Sequence, residues 1–161
     1  MLCLAIALSG IYIADRARKR AEKLRLISLF FSECIRLCRT DRYSALELLR
    51  ELSSDRRLAC LEFLEPAVAE MDEGENLKML WCRGVSACAE ALPDRESLSL
   101  LLQFSSALGR PSREEFLECC DSLHTAFNEK AHMERQKWEK SREAVVCSGV
   151  LAAAAIFFIF M

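Results

Sequence analysis

Charge is missing from both ends of this chain. Residues 1–14 and residues 144–161 contain no Asp, Glu, Lys or Arg. All 22 Lys/Arg and 24 Asp/Glu of the 161 residues lie between Asp15 and Glu143. Such ends argue against a plain cytosolic protein. Glycine and proline are scarce too, at five and three residues, which argues against a loop-rich or β-rich fold. The formal net charge is only −2, so nucleic-acid binding has no bulk electrostatic support. Catalytic signatures are also absent: no Gly-rich phosphate loop leads to Lys78, and neither GxSxG nor HExxH occurs.

What is abundant is cysteine. The nine residues are Cys3, Cys34, Cys38, Cys60, Cys82, Cys88, Cys119, Cys120 and Cys147. The odd number and the lack of any CxxC do not suit a disulfide framework or a zinc knuckle. The cysteines read as small buried hydrophobes of a reducing compartment, with no metal and no cofactor expected. His124 and His132 lie on a charged helical stretch and read as surface residues, while Trp81 and Trp138 read as packing residues.

The C-terminal run AVVCSGVLAAAAIFFIFM, 144–161, is 18 residues long. At about 1.5 Å per residue it covers about 27 Å, close to a hydrocarbon core of about 30 Å. It is read as a transmembrane helix. The N-terminal run MLCLAIALSGIYIA, 1–14, reaches only about 21 Å. It lacks a preceding charged region and a small-x-small cleavage site, which argues against a cleaved signal peptide. Arg16 and Lys19 can snorkel to headgroups and lengthen the span. Six Lys/Arg fall between Arg16 and Arg25, and five more lie between Lys130 and Arg142. Basic flanks on both sides place the middle stretch, 15–143, in the cytoplasm by the positive-inside rule. The expected layout is a hairpin in which both termini are outside.

The middle is helical throughout. A first helix runs out of the membrane with Leu24, Ile27, Phe31, Cys34 and Cys38 on one face. Thr40 or Asp41 is expected to cap a second helix carrying Ala45, Leu46, Leu49 and Leu52. Ser53, Ser54 and Asp55 start a third, with Leu58, Leu61, Leu64, Val68 and Met71, kinked at Pro66 and ended by Gly74. A fourth runs from about Asn76 to Leu92 through Leu77, Leu80, Trp81, Val85 and Cys88. Pro93-Asp94 caps a fifth with Leu98, Leu101, Leu102, Ser105 and Leu108, stopped at Gly109. Ser112 caps the last, whose stripe is Phe116, Cys120, Leu123, Phe127, Ala131 and Trp138. The fold class is therefore all-α: a small bundle of about six helices, the first and last continuing into two terminal spans and packing as a stalk.

One charge cluster is a candidate partner-docking surface. Glu70, Asp72, Glu73 and Glu75 place four acids within six residues around Gly74. The bland reading is a solvated loop; acids in the last turn of a helix oppose its dipole, which is the reason to expect a weak partner-docking surface as well.

The chain resembles the stage III sporulation protein AB family over nearly its full length. The likeness lies in the layout, a short apolar start followed by RARKRAEKLR (16–25), and in three segments. FSECIRLCRTDRYSALELL (31–49) is similar to the family's helix that ends at Thr before an Ala-Leu helix. Leu80-Trp81 stands where an Ala-Trp pair is usual. DRESLSLLLQFSSALGRPSREEFLECCDSL (94–123) is similar to its acidic-capped helix, Leu-Gly turn and capped final helix, with Leu108, Gly109 and Ser112 on the turn and cap. The chain has Asp41 where Pro is common, Ser112 where Asp is frequent and Phe116 where Gln is frequent.

The resemblance implies an integral protein of the mother-cell membrane facing the forespore, without enzymatic activity. It implies a scaffold of the complex linking the two cells, with a middle domain similar to that of type II secretion and type IV pilus platform proteins. The partners it implies are the stage III sporulation ATPase (protein AA), other membrane proteins of the same complex and the lipid bilayer; neither nucleic acid nor a small-molecule substrate is among them. The rival readings are a platform component of a secretion or pilus system, a generic membrane-anchored helical adaptor, and a membrane-tethered enzyme or metal-dependent regulator built on the cysteines.

Overall fold

The computed structural model describes residues 2–40, 44–69, 76–108 and 112–160, and side chains within these between 15 and 143. Among the described residues there are six α-helices, two 3-10 turns and no strand. The helices are α1 (Leu2–Thr40), α2 (Ala45–Ser54), α3 (Leu64–Ala69), α4 (Leu77–Ala87), α5 (Arg95–Leu108) and α6 (Arg113–Phe160). The 3-10 turns are Arg56–Leu58 and Ala89–Ala91. The chain divides into two compact units, one of Met1–Glu22 with Lys130–Met161 and one of Lys23–Glu129. The second is narrower than the stretch 15–143 that lies between the charge-free ends.

In the first unit the side-chain bonds are mostly one helical turn apart. Lys19 pairs with Asp15 at 2.7 Å, Arg135 with Glu139 at 3.1 Å and Lys137 with Glu134 at 2.5 Å. The Arg142 guanidinium lies 5.9 Å from the centre of the Trp138 ring, a cation–π distance. Trp138, expected on the buried stripe, is half-buried.

The second unit is built around α1. Leu24, Ile27, Phe30, Phe31 and Cys34 are completely buried. Phe30 and Phe31 are successive residues, about 100° apart on a helix. Both are buried only if α1 is covered on two sides. Phe30 faces Phe63, Trp81 and Phe104 at 6.4, 5.9 and 6.1 Å between ring centres. Phe31 faces Phe104 at 5.2 Å and Phe127 of α6 at 5.8 Å. Each such side chain contributes about 1.5–3 kcal/mol by leaving water, and edge-to-face or offset pairs add about 0.5–1.5 kcal/mol. The fully buried Trp81 donates its indole N–H to the Leu101 carbonyl at 2.7 Å. That bond ties α4 to α5 and leaves no orphan polar atom on the ring.

Helix ends explain where the expectations hold and where they fail. Ser112 Oγ accepts from the Glu115 amide at 3.5 Å, and Asp94 Oδ1 accepts from the Ser97 amide at 2.7 Å, so both expected caps are in use. Thr40 does not cap α2. It ends α1, donating its hydroxyl to the Arg36 carbonyl at 2.9 Å, and Asp41 lies outside the described residues. Ser44 is the cap: its Oγ accepts from the Glu47 amide at 3.3 Å while Glu47 accepts from the Ser44 amide at 2.8 Å. This reciprocal box satisfies two of the donors a helix start leaves open.

The single kinked third helix is not formed. The 3-10 turn at Arg56–Leu58 is followed by irregular chain, and α3 begins only at Leu64. Pro66 is then the third residue of α3. A first-turn position needs no amide donor, whereas a helix entering from Leu58 would need one there. Gly74 and Met71 lie outside the described residues. The fourth helix stops at Ala87, not Leu92. The chain tightens into a 3-10 turn whose Ala91 carbonyl accepts from Lys23 Nζ of α1 at 2.7 Å.

Gly84 marks the crossing of α4 and α3. A Cβ there would lie 2.5 Å from the Ala67 Cα, a backbone atom that cannot rotate away. Gly84→Ala gains about 1 kcal/mol of helix propensity but meets an overpacking cost of about 1–3 kcal/mol. The variant is expected to unfold at lower urea concentration than the parent chain; an unchanged or raised midpoint would refute the close crossing.

Candidate docking site on the helical unit

Most of the described polar contacts of the helical unit are local, and a smaller set ties one element to another. Glu33 lies on the inward face of α1 and is only 8% exposed. A buried carboxylate must be paired, and two arginines meet it. Arg36, one turn along, approaches to 2.6 Å. Arg57, in the 3-10 turn after α2, approaches to 3.0 Å and also holds Asp55 at 2.7 Å. Hydrogen bonds from Arg57, first the guanidinium and then the backbone N–H, lower the Asp55 carboxyl below its usual value. Asp55 and Glu33 in turn raise the guanidinium. Glu47, too, is lowered, by the Ser44 amide and hydroxyl.

A second tie joins α1 to α6. The Ser28 hydroxyl donates to the His124 carbonyl at 3.2 Å, and His124 Nδ1 lies 3.0 Å from the Ser28 carbonyl. Nδ1 also lies 3.0 Å from the Ser28 hydroxyl, so it accepts from the hydroxyl or donates to the carbonyl according to its tautomer. His124 is therefore a half-buried interhelical clasp rather than a surface histidine. His132 is exposed.

The cysteines divide. Cys34 of α1 and Cys120 of α6 are fully buried, and a hydrogen bond joins their thiols. Burial, then that bond, pushes the Cys34 thiol well up. Burial also raises Cys38, offset in part by Arg113, whose guanidinium donates to the Cys38 carbonyl. Neutral thiols are poor nucleophiles and poor metal ligands. Among the described residues, no group of three or more His, Cys, Asp or Glu is placed to hold a metal ion. Cys60 departs from the buried reading, for it is exposed.

Beside the Glu33–Arg57 tie lies a groove of about 350 Å³. Leu58, Leu61 and Leu64 form its buried floor; Ser53, Glu65 and Ala69 stand exposed at its edge. It is a shallow recess with an apolar floor and a partly polar edge. Ala69 is the last described residue before the acidic segment. Glu70, Asp72, Glu73 and Glu75, the docking acids expected from sequence, lie outside the described residues. The groove had no simple sequence signature, because its floor comes from the 3-10 turn and α3, where a continuous helix was expected.

Together these features define a class: an all-helical protein, among the described residues, whose helices are tied across by a few polar contacts and whose surface carries a shallow groove beside α3. The chain belongs to the stage III sporulation protein AB family, whose model matches residues 1–161. That membership gives it a role in stage III sporulation. No curated protein and no solved structure matches the chain.

The Asp55 clasp makes a pH-dependent contribution. Its folded value is depressed, so the stabilisation is present above the ordinary carboxylate value and is lost as pH falls through the folded one. Asp55→Asn is expected to flatten the acid limb of a stability–pH curve measured by urea unfolding. An acid limb as steep as the parent's would show that Arg57 does not hold Asp55.

Proposed function

We propose that this protein is a non-enzymatic integral membrane scaffold of the stage III sporulation complex, held in the mother-cell membrane facing the forespore. Its helical unit would stand in the cytoplasm and couple the sporulation ATPase, protein AA, to membrane components. The observation that carries this reading is the pair of charge-free ends on α1 and α6. Residues 2–14 and 144–160 are helical, and each runs without a break in secondary structure into a basic stretch. Among the described residues, no helix is long and apolar enough to cross a membrane. The side chains of 1–14 and 144–161 lie outside that description. The family membership supports the sporulation context, and the groove supports a partner.

Three measurements test the reading. Alkaline carbonate should leave the full chain in the membrane fraction, and release would refute an integral protein. In intact cells a membrane-impermeant thiol reagent should label Cys3 and spare the exposed Cys60; labelling of Cys60 would invert the topology. For the ATPase, charge reversal at Glu70, Asp72, Glu73 and Glu75 together is expected to weaken co-purification of protein AA with this chain. Equal recovery from the reversed and parent chains would remove the acidic segment from the interface.

A further inference from the structure

The two compact units carry opposite charge. Residues 1–22 with 130–161 hold nine Lys/Arg against five Asp/Glu, whereas residues 23–129 hold 13 against 19. The positive excess of the first unit is not spread evenly. On its α6 side, Arg135 and Lys137 are each paired with a glutamate one turn away, and Arg142 lies over Trp138. On α1, Lys19 is paired with Asp15. Arg16, Arg18 and Arg20 make no ion pair among the described residues, and Arg16 and Arg18 are exposed while Arg20 is half-buried. All three lie within six residues of the charge-free run 1–14, after Asp15, which is paired with Lys19.

Helical geometry turns these three into a ring. At about 100° per residue, Arg18 stands roughly opposite Arg16 and Arg20, and the three spread over only about 6 Å along the axis. A bilayer of about 40–45 Å with a hydrocarbon core of about 30 Å leaves a headgroup layer of about 5–7 Å on each side. The ring thus matches one headgroup layer in depth. Guanidinium groups offer a planar fork of donors that fits the oxygens of a phosphodiester.

We infer that Arg16, Arg18 and Arg20 form a collar that binds the headgroups of anionic glycerophospholipids in preference to zwitterionic ones. The inference rests on the membrane-spanning reading of residues 1–14. It adds a lipid specificity which that reading does not require, because a hydrocarbon span is indifferent to headgroup charge. Each arginine at the surface of an anionic leaflet is expected to contribute on the order of five-fold in preference.

The test uses the full chain purified in mild detergent and titrated with phosphatidylglycerol or phosphatidylcholine, with bound lipid counted by native mass spectrometry. The parent chain is expected to retain phosphatidylglycerol at least about ten-fold more strongly. Arg16→Gln/Arg18→Gln/Arg20→Gln should lose that preference. Arg39→Gln/Arg56→Gln/Arg95→Gln, which removes equal charge from exposed positions of the other unit, should keep it. Inorganic phosphate at the same concentration should leave the lipid bound. Equal retention of the two lipids, a preference that survives the collar variant, or displacement by inorganic phosphate would each overturn the inference. Carbonate extraction of the same proteins separates the two ideas. A chain that stays in the membrane without headgroup preference refutes the collar alone, and a chain released by carbonate refutes the span.

Discussion

Burial of α1 on two sides is the constraint from which the rest of the helical unit follows. Phe30 and Phe31 cannot share one narrow stripe, so a partner is needed for each. Trp81, Phe63 and Phe104 enclose Phe30; Phe104 and Phe127 enclose Phe31. Phe104 touches both, and this brings α5 into the corner between them. The Trp81 indole then needs an acceptor, and the Leu101 carbonyl one turn before Phe104 supplies it. The chain from α3 to α5 is arranged to meet these demands, with Gly84 letting α3 and α4 approach closely enough to do so.

Polar ties sit around that apolar centre and choose among packings that area alone would not distinguish. The Ser28–His124 clasp sets the register of α6 on α1. Lys23 holds the turn after α4, and Glu33 holds the turn after α2 through Arg57. All three reach out from α1, within about three helical turns of one another. Among the described residues the surface feature left beside these ties is the groove at α3, floored by Leu58, Leu61 and Leu64.

Much of the helical outline was legible because short-range chemistry wrote it. Ser112 and Asp94 cap their helices as their spacing implies, and Leu24, Ile27, Phe31 and Cys34 recur at the helical period and are all buried. The failures share a cause. Thr40 and Ser44 are both capping residues, and local sequence does not say which one the chain will use; the length of α1 decided it. Pro66 reads equally as a kink or as a first-turn residue, and the packing of α3 under α4 selected the latter. His124 looked like any histidine on a charged helix until Ser28, 96 positions away, came against it.

The sequence by itself determined the all-helical class, the family and the separation of charge from both ends, since these depend on composition, periodicity and motif order along one chain. Only the tertiary structure decided that α1 is covered on two sides, by α6 and by the helices from α3 to α5, that Phe30, Phe63 and Phe104 belong to the same cluster, and that the turn after α2 and helix α3 open a groove. Those are contacts between residues distant in sequence, and no local pattern specifies which of two exposed-looking helix faces another helix will cover.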